Sequence, residues 1–448
     1  MTKLRLAIVG AGPAGIYAAD ILLKTEKHFD VSIDLFEQLP APYGLVRYGV
    51  APDHPRIKGI INALREVLDS GQIRLFGNVY FGRDITLDDL KKHYNAVIFS
   101  TGSIRDASLD VPGIEKAGSY GAADFVSWYD GHPDFPREWP LDAASVAVIG
   151  NGNVALDVAR MLAKHADDLL PTEIPANVYD VLKSSPVTDV HVFGRRGPAQ
   201  VKFSPLELRE LGELNDVDMI VYDEDFDYDD ASKAAIASNK QVFVIDKVLN
   251  QWRARETGTA SRRLHLHFYA APLEITGDGV VESIRYERTK PDGAGGVVGT
   301  GEIREIPIQA LYRAVGYFGS PLDGVPFDEK RGVIPNREGQ VIDDNDQQVP
   351  GVYATGWIKR GPVGLIGHTK SDAMETVKHV VNDQANWWSP AEPAEEAIVA
   401  LLEERGVEFT NLDGWHNLDE HEKSLGEPHG RARIKVVDRE EMVRASNR

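Results

Sequence analysis

The sequence predicts an α/β fold with two Rossmann-like domains, one of which is inserted into the other. Three observations carry this prediction. An apolar run, a glycine cluster and a helix-forming stretch follow one another at residues 7–19, and the same order returns at residues 148–159. A strand-then-turn pattern at residues 351–357 then resumes the first unit after the second has ended. Strands that alternate with helices are typical of parallel sheets.

The first unit opens with "LRLAIVG", whose apolar residues 4–9 indicate a buried parallel strand. The stretch "PAGIYAADILLKT" follows as a helix and "VSIDLFE" as the next strand, which completes one βαβ unit. A further strand of the same sheet is predicted in "NAVIFSTG". Near the C-terminal third, "GVYATGW" and "TKSDAMETVKHVVNDQANW" are predicted as a strand with its turn and as a helix.

The second unit consists of the strand "SVAVIG", the helix "NVALDVARMLAKHA" and the strand "DVHVFG". The helix and the second strand are separated by an excursion, residues 167–186. Because irregular text precedes this unit, we predict an inserted domain of residues 104–319 within a discontinuous domain of residues 1–103 and 320–448.

Three stretches of the inserted domain carry weaker patterns. "HLHFYAAPLEITG" and "VVESIRYERTK" predict antiparallel strands, and "GAGGVVGTG" predicts a flexible hairpin loop. The acidic run "DEDFDYDD" at residues 223–230 predicts a solvated loop or helix start.

Composition excludes several classes of function. The net charge of −20 disfavours nucleic acid and anionic membranes as partners. The absence of cysteine excludes disulfides, thiol nucleophiles and iron–sulfur ligation by the chain itself. The thirteen histidines show no zinc-like spacing, so we predict no metal site. Since no signal peptide or membrane-spanning run is recognisable, we expect a cytoplasmic protein.

The first glycine turn, "GAGPAG", has the G-x-G-x-x-G spacing at Gly10, Gly12 and Gly15. In this motif the glycines permit a tight turn, close approach of a pyrophosphate and close packing of helix on strand. The pyrophosphate then lies at the helix N-terminus. The second strand ends in Glu37, whose carboxylate suits a ribose diol and repels a 2′-phosphate. The first turn, with Glu37, therefore predicts a binding site for FAD or NAD.

The second glycine turn, "GNGNVA", has Gly150, Gly152 and Ala155, an accepted variant of the same spacing. Its second strand ends in Arg195 and Arg196 rather than in an acid. Two guanidinium groups there suit a 2′-phosphate, which they hold by charge-assisted hydrogen bonds. The second turn therefore predicts NADP, and two hydride-handling nucleotides in one chain predict a flavoenzyme.

Six longer motifs, spread over nearly the whole chain, resemble the adrenodoxin reductase family and most of all its actinobacterial ferredoxin–NADP reductases. They are "APYGLVRYGVAPDHP", "GNGNVALDVAR", "GRRGP", "FSPLELREL", "GWIKRGPVGLIG" and "GEPHGRARIKV". The resemblance implies an FAD domain with an inserted NADP domain, hydride transfer from NADPH to FAD, and single-electron transfer to a ferredoxin. It also implies a monomer.

The resemblance implies the site residues as well. FAD would contact Gly10, Gly12, Ala14, Gly15, Glu37, Leu45, Trp357, Gly364, Leu365 and Ile366. NADP would contact Asn151, Gly152, Asn153, Val154, Arg195, Arg196 and Glu207. Gly364 would lie beside the nicotinamide, and His54 would lie near the flavin ring with Glu210 as its charge partner. A purely structural ion pair is the alternative for His54.

Three positions bear on this likeness. Residues 368–370 are His-Thr-Lys where the family often has Thr-Asn-Lys, and Arg105 is slightly out of register with a family arginine. Trp357 stands where many disulfide-reductase flavoproteins have Asp, which argues against that class.

The acceptor leaves no motif, so alternatives stay open. An NADPH diaphorase or quinone reductase uses the same flavin step, and a non-catalytic FAD-binding interaction protein is a further alternative. Docking of an acidic ferredoxin requires basic side chains on this acidic chain. The candidates are Arg209, Arg253, Arg255, Arg262, Arg263, Lys359 and Arg360.

Overall fold

The computed structural model describes residues 3–362 and 366–447, and for residues 366 and 367 only the backbone. The strands of the described residues are β1 (Lys3–Val9), β2 (Asp30–Phe36), β3 (Ile73–Phe76), β4 (Ala96–Phe99), β5 (Arg105–Asp106), β6 (Ser119–Gly121), β7 (Ser145–Ile149), β8 (Asp189–Phe193), β9 (Val217–Ile220), β10 (Arg262–His267), β11 (Ala270–Thr276), β12 (Ser283–Pro291), β13 (Val297–Pro307), β14 (Ala310–Arg313), β15 (Tyr317–Phe318), β16 (Asn336–Arg337), β17 (Gln340–Ile342) and β18 (Gln348–Ala354).

The α-helices of the same residues are α1 (Pro13–Lys24), α2 (Leu45–Tyr48), α3 (Pro55–Lys58), α4 (Ile60–Leu68), α5 (Leu87–His93), α6 (Ala122–Tyr129), α7 (Asn153–Ala163), α8 (Ala176–Ser184), α9 (Pro205–Leu211), α10 (Asp230–Ser238), α11 (Lys240–Arg253), α12 (Trp357–Arg360), α13 (Ile366–Asn382), α14 (Glu395–Glu404), α15 (Leu412–Gly426) and α16 (Arg439–Ser446). Short 3₁₀ helices connect some of them. Among the described residues, no helix combines the length and apolarity that crossing a bilayer requires.

The first sheet has seven strands in the order β16-β17-β18-β4-β1-β2-β3. The five strands from β18 to β3 are parallel, and β16 and β17 are antiparallel additions at one edge. In β1, Leu4, Leu6 and Ile8 face one core, and Ala7 and Val9 face the other. A strand that is buried on both faces in this way is a continuous apolar run, as the sequence predicts.

The second sheet has six parallel strands in the order β6-β14-β7-β8-β10-β9. All of its strands lie between residues 119 and 313, whereas the first sheet takes its strands from residues 3–99 and 336–354. One sheet is therefore inserted in the chain between parts of the other, and the predicted fold class is confirmed. The domain limits at residues 103 and 320 stay a prediction.

A three-stranded antiparallel sheet, β11-β12-β13, covers one face of the second sheet. The sequence prediction assigned residues 265–277 to one antiparallel strand, and this is wrong. The chain instead bends at Tyr269, whose φ of +48° is left-handed, so the preceding residues belong to β10 of the parallel sheet. The predicted loop at 293–301 is also shorter, because β13 begins at Val297.

The acidic run at residues 223–230 ends in a helix start, as predicted, but it is only partly solvated. Asp225 is fully buried, where its carboxylate accepts hydrogen bonds from the Arg288 guanidinium at 2.7 Å and from the Phe268 N–H at 3.2 Å. Asp229 accepts a hydrogen bond from the Ser232 N–H and so caps the N-terminus of α10. A charge pattern alone cannot show which carboxylate meets a distant arginine.

Candidate active site

The first glycine turn joins β1 to α1, and two of its glycines are required by close backbone contacts. A Cβ on Gly10, whose φ is +108°, would lie 2.5 Å from the Ser100 carbonyl oxygen. A Cβ on Gly15 would lie 2.1 Å from the Gly10 carbonyl oxygen. Gly12 differs, since the nearest atom to its added Cβ is the Gly44 Cα at 3.8 Å. Gly12 therefore leaves space for a ligand above the turn.

The Glu37 carboxylate lies directly after β2 and is 6% exposed. It accepts hydrogen bonds from the backbone N–H groups of Ala11 at 2.8 Å and of Leu39 at 3.1 Å. Burial raises the pKa of Glu37 to about 7, although these backbone hydrogen bonds act in the opposite direction. Each carboxylate oxygen keeps a further lone pair, which a ribose hydroxyl can use.

Buried polar groups surround the carboxyl end of the first sheet. The Thr101 and Ser103 hydroxyls follow β4, and neither has a hydrogen-bond partner among the described residues. No side chain caps the N-terminus of α1, so its first N–H groups are free to bind an anion. Gly356, with a φ of +75°, allows the segment after β18 to pass Ala14 where a Cβ would be 2.6 Å away. These features fit the pyrophosphate and ribose of FAD.

The second glycine turn joins β7 to α7 and repeats the geometry of the first. A Cβ on Gly150 would lie 2.2 Å from the Ala314 carbonyl oxygen, whereas one on Gly152 would meet nothing within 4 Å. No side chain caps α7. The Asn153 side-chain oxygen accepts a hydrogen bond from the Ser204 N–H at 2.8 Å, which ties the turn to the start of α9. The turn is therefore open to a second dinucleotide.

Arg195 and Arg196 follow β8 at the same edge of the second sheet, and both are exposed. Within residues 3–362 and 366–447, neither guanidinium has an ion-pair partner. Their backbone is nonetheless fixed, since the Arg195 carbonyl accepts from the Thr289 hydroxyl at 2.7 Å and the Arg196 carbonyl from the Tyr269 N–H at 3.2 Å. The two charges are thus held at the strand end and available to an anion.

Glu207 lies in the first turn of α9, whose N-terminus is capped by the Ser204 side chain. The Glu207 side chain is buried, and one of its carboxylate oxygens has no partner in the described part of the chain. Burial raises the pKa of Glu207 above its usual range. An unpaired acceptor in this position suits hydroxyl donors of a nucleotide.

The segment of residues 41–55 connects the two glycine turns. At its start, the Tyr43 N–H donates to the Ala11 carbonyl at 2.8 Å, and Gly44 packs on Gly12. Arg47, in the middle of the segment, is buried and forms a 2.5 Å ion pair with Glu422. The segment is therefore attached to the C-terminal helix α15. Its far end carries Asp53 and His54, which contact the helix that begins at the second turn.

The His54 imidazole lies between two carboxylates and is 3% exposed. Its Nε2 is 2.9 Å from Asp157 of α7, and its Nδ1 is 2.9 Å from Glu210 of α9. Burial acts to lower the pKa of His54, but the hydrogen bonds to both carboxylates raise it to about 9. A pKa of about 9 corresponds to a protonated imidazole at neutral pH, and the Arg160 guanidinium nitrogen, 2.6 Å from Nε2, acts against that charge. The structure thus brings together His54 and Glu210, which the family resemblance pairs.

Asp53 and Arg160 form the second half of this cluster, and sequence reasoning missed both, along with Asp157. The Arg160 guanidinium donates two 2.9 Å hydrogen bonds to Asp53 and one of 2.7 Å to Asp157. Lys164 adds a contact of 2.8 Å to Asp53. The i, i+3 spacing of Asp157 and Arg160 on one helix face is the one signal that the sequence offered.

The remaining predicted FAD residues divide into described and undescribed ones. Leu45 begins α2 and is half-buried, Ala14 is buried in α1, and Trp357 begins α12 and is half-buried. Gly364 and Leu365 lie outside the described residues. Ile366 is the first residue of α13, and its side chain is not described.

Two of the predicted docking residues are buried, so that prediction is wrong for them. Lys359 is 5% exposed and pairs with Asp372 at 2.9 Å and Glu375 at 2.5 Å. Arg262 is 9% exposed and donates to backbone carbonyls after α7. Three other candidates, Arg209, Arg253 and Arg255, are exposed. Arg105 donates to the Gly319 carbonyl at 2.8 Å.

Comparison with known proteins gives matches over the whole chain. A family model for pyridine nucleotide-disulphide oxidoreductases matches residues 4–195. The chain is 40% identical to the NADPH-ferredoxin reductase FprA of Mycobacterium tuberculosis, over 99% of both chains. It is 37% identical to the mitochondrial NADPH:adrenodoxin oxidoreductase of Bos taurus, over 98% of this chain and 91% of that one.

A solved structure agrees with the fold. The structure of Mycobacterium tuberculosis FprA in complex with NADPH matches this chain with a TM-score of 0.90 and 38% identity, and each chain is covered completely.

Proposed function

Since this chain belongs to the family of NADPH-ferredoxin and NADPH:adrenodoxin reductases, we propose that it is an FAD-dependent NADPH:ferredoxin oxidoreductase. FAD, when bound, would accept a hydride from NADPH and pass the electrons one at a time to an iron–sulfur protein. The observation that carries the proposal is that side chains of opposite charge follow the second strands of two similar glycine-turn units. A buried carboxylate, Glu37, follows the first, and two exposed guanidinium groups, Arg195 and Arg196, follow the second.

The first turn is the FAD site in this proposal. Gly12 admits the pyrophosphate, the uncapped start of α1 binds it, and Glu37 accepts the ribose hydroxyls. Further contacts are proposed for Gly10, Ala14, Gly15, Leu45, Trp357, Gly364, Leu365 and Ile366. Their support is the family resemblance together with the free space beside Gly12.

The second turn is the NADPH site. Asn151, Gly152, Asn153 and Val154 form the turn, and Arg195 and Arg196 bind the 2′-phosphate by charge-assisted hydrogen bonds. Each such bond contributes roughly 1.5–3 kcal/mol, so the pair supports a preference for NADPH over NADH of about two orders of magnitude. The Glu207 carboxylate accepts a hydrogen bond from a nucleotide hydroxyl.

His54 and Glu210 are proposed to position the two halves of the site. With a pKa of about 9, His54 is expected to keep its proton at neutral pH and to link the Asp157 and Glu210 carboxylates, beside the Arg160 guanidinium. The cluster joins the segment beside the first turn to the helix of the second. Hydride transfer depends on the close approach of the nicotinamide and flavin rings. A fixed contact between the 41–55 segment and α7 therefore contributes to catalysis by positioning the two nucleotides. Gly364 is proposed to leave room for the nicotinamide.

The acceptor in this proposal is a ferredoxin that docks from outside. The chain has no cysteine and therefore no redox pair of its own to receive the electrons. The exposed guanidinium groups of Arg209 and Arg255 supply local positive charge on an acidic protein, whereas Arg253 pairs with Asp223 at 3.3 Å. We also propose a monomer in the cytoplasm, which gel filtration and cell fractionation would test.

The test mixes the FAD-loaded protein with NADPH or NADH, an actinobacterial ferredoxin and cytochrome c as final acceptor. We expect reduction of cytochrome c that depends on ferredoxin and strongly prefers NADPH. Flavin reduction by NADPH with no gain from ferredoxin would favour the quinone-reductase alternative. A flavin that NADPH does not reduce would favour a non-catalytic role, and equal use of NADH would contradict the assignment of the two arginines.

A further inference from the structure

Three histidines from two neighbouring strands meet on one face of the second sheet. His191 of β8 is in register with His265 of parallel β10, and His267 lies two residues further along β10. Since side chains alternate along a strand, all three point to the same face. One ligand nitrogen from each can be chosen so that all three lie within 4.8 Å of one another. The chain thus holds a group of three imidazoles that neither turn uses.

We propose that His191, His265 and His267 form a binding site for a divalent transition-metal ion such as Zn²⁺. Imidazole nitrogen suits Zn²⁺ and Cu²⁺, and three histidine ligands leave a fourth position for an oxygen. His191 Nδ1 and His267 Nε2 are 3.0 Å apart. Two nitrogens bound at roughly 2.0–2.1 Å in a tetrahedral site are a little further apart than this, so the backbone already has the necessary spacing.

The surroundings resemble the second shell of a metal site. The His265 Nε2 is 3.0 Å from a carboxylate oxygen of Asp189, an arrangement that fixes the ring and leaves Nδ1 for a metal. The Tyr222 hydroxyl donates a 2.9 Å hydrogen bond to that Nδ1, a contact that a metal ion would replace.

The ring orientation defines what binding requires. The three imidazoles are stacked, with interplanar angles of 12–28°, so their lone pairs lie in nearly parallel planes and do not converge on one point. Coordination of one ion therefore needs the rings to turn about their Cβ–Cγ bonds. A cavity of about 220 Å³ reaches one of the three histidines, His267, and its charged lining consists of Glu224, Arg288 and Arg304.

The test uses untagged, FAD-loaded protein that has been treated with a chelator and then dialysed against Co²⁺ or Zn²⁺. We expect one bound ion per chain and, for Co²⁺, the visible d–d absorption of a nitrogen-ligated ion of low coordination number. His265→Gln and His267→Gln should each weaken binding by more than about tenfold. His429→Gln, at an exposed histidine away from the cluster, is the matched control and should bind as the unchanged protein does.

Metal binding is measured rather than enzyme activity. Arg195 and Arg196 follow β8, next to β10, so a substitution in β10 could change activity through these arginines without any role for a metal. Circular dichroism verifies that each variant is folded, and the Co²⁺ spectrum of the unchanged protein is independent of any variant. Failure to retain Co²⁺ or Zn²⁺ after dialysis would overturn the proposal. So would binding that both glutamine variants keep, because the ion would then lie elsewhere and the histidines would be a hydrogen-bonded stack only.

Discussion

The Arg160 guanidinium and the Asp53 carboxylate form a two-point ion pair, with both hydrogen bonds 2.9 Å long. It joins the segment of residues 41–55, which contacts the first glycine turn, to α7, which begins at the second. Arg160 is 1% exposed, so the pair is shielded from solvent. A two-point contact fixes both distance and orientation.

Arg160→Met is expected to destabilise the protein by about 3–5 kcal/mol, because it leaves the Asp53 and Asp157 carboxylates with less compensation in a buried site. The urea midpoint of unfolding, followed by tryptophan fluorescence, measures the loss. Arg444→Met, at an exposed arginine of α16, is the control and should change the midpoint little. Equal midpoints for both variants would show that the contact between the 41–55 segment and α7 does not depend on this ion pair.

The charge of His54 predicts a pH dependence of stability. Its pKa is raised from an ordinary 6.5 to about 9, so the stabilisation is fully present below pH 6.5 and is lost as the pH rises through 9. The difference in unfolding free energy between the unchanged protein and His54→Gln should shrink by roughly 2–3 kcal/mol over this range. Urea titrations at pH 6 and pH 10 test it, with His429→Gln as control. A difference independent of pH would mean that His54 is neutral.

The two glycines of the second turn predict a separation of NADPH binding from folding. Gly152→Ala should leave stability nearly unchanged, because its new Cβ meets nothing within 4 Å, and should weaken NADPH binding about tenfold or more. Gly150→Ala should instead lower the unfolding midpoint, since its Cβ would lie 2.2 Å from the Ala314 carbonyl oxygen. Flavin quenching by NADPH and thermal unfolding compare the pair. Unimpaired NADPH binding by Gly152→Ala would remove the nucleotide from this turn.

Arg195 and Arg196 predict a specific loss of coenzyme preference. In the Arg195→Ala/Arg196→Ala double variant, the KM for NADPH should rise on the order of 100-fold, because the charge-assisted bonds to the 2′-phosphate are lost. The KM for NADH should change little, since NADH has no such phosphate. Steady-state reduction of ferricyanide with both coenzymes gives the ratio. Parallel increases for NADPH and NADH would place the arginines outside the 2′-phosphate site.

Lys359 and Arg209 predict different effects on ferredoxin. Lys359→Met should lower stability, because Asp372 and Glu375 lose their buried cation, with no selective effect on ferredoxin affinity. Arg209→Ala should raise the KM for ferredoxin several-fold at low salt and leave the unfolding midpoint unchanged. Cytochrome c reduction over a range of ferredoxin concentrations measures both. The reverse pattern would mean that docking involves the α12 side of the protein.

Local patterns determined most of the fold. The strands β1, β2, β7 and β8 and the helices α1 and α7 lie where periodicity and the glycine turns predict them, because these signals depend on neighbouring residues only. The contrast between Glu37 and the two arginines is local in the same sense, since each group directly follows a strand. The family resemblance added pairings, such as His54 with Glu210, that spacing does not contain.

Only the tertiary structure decided which charges are buried and which distant groups meet. Lys359 and Asp225 look like surface residues in the sequence, yet each is buried against a partner from another element. The bend at Tyr269 assigns His265 and His267 to a parallel strand beside His191, which no spacing rule for metal sites anticipates. The physical reason is the same in each case. Periodicity fixes which face of an element is apolar, but contacts between residues far apart in the chain depend on how the elements pack.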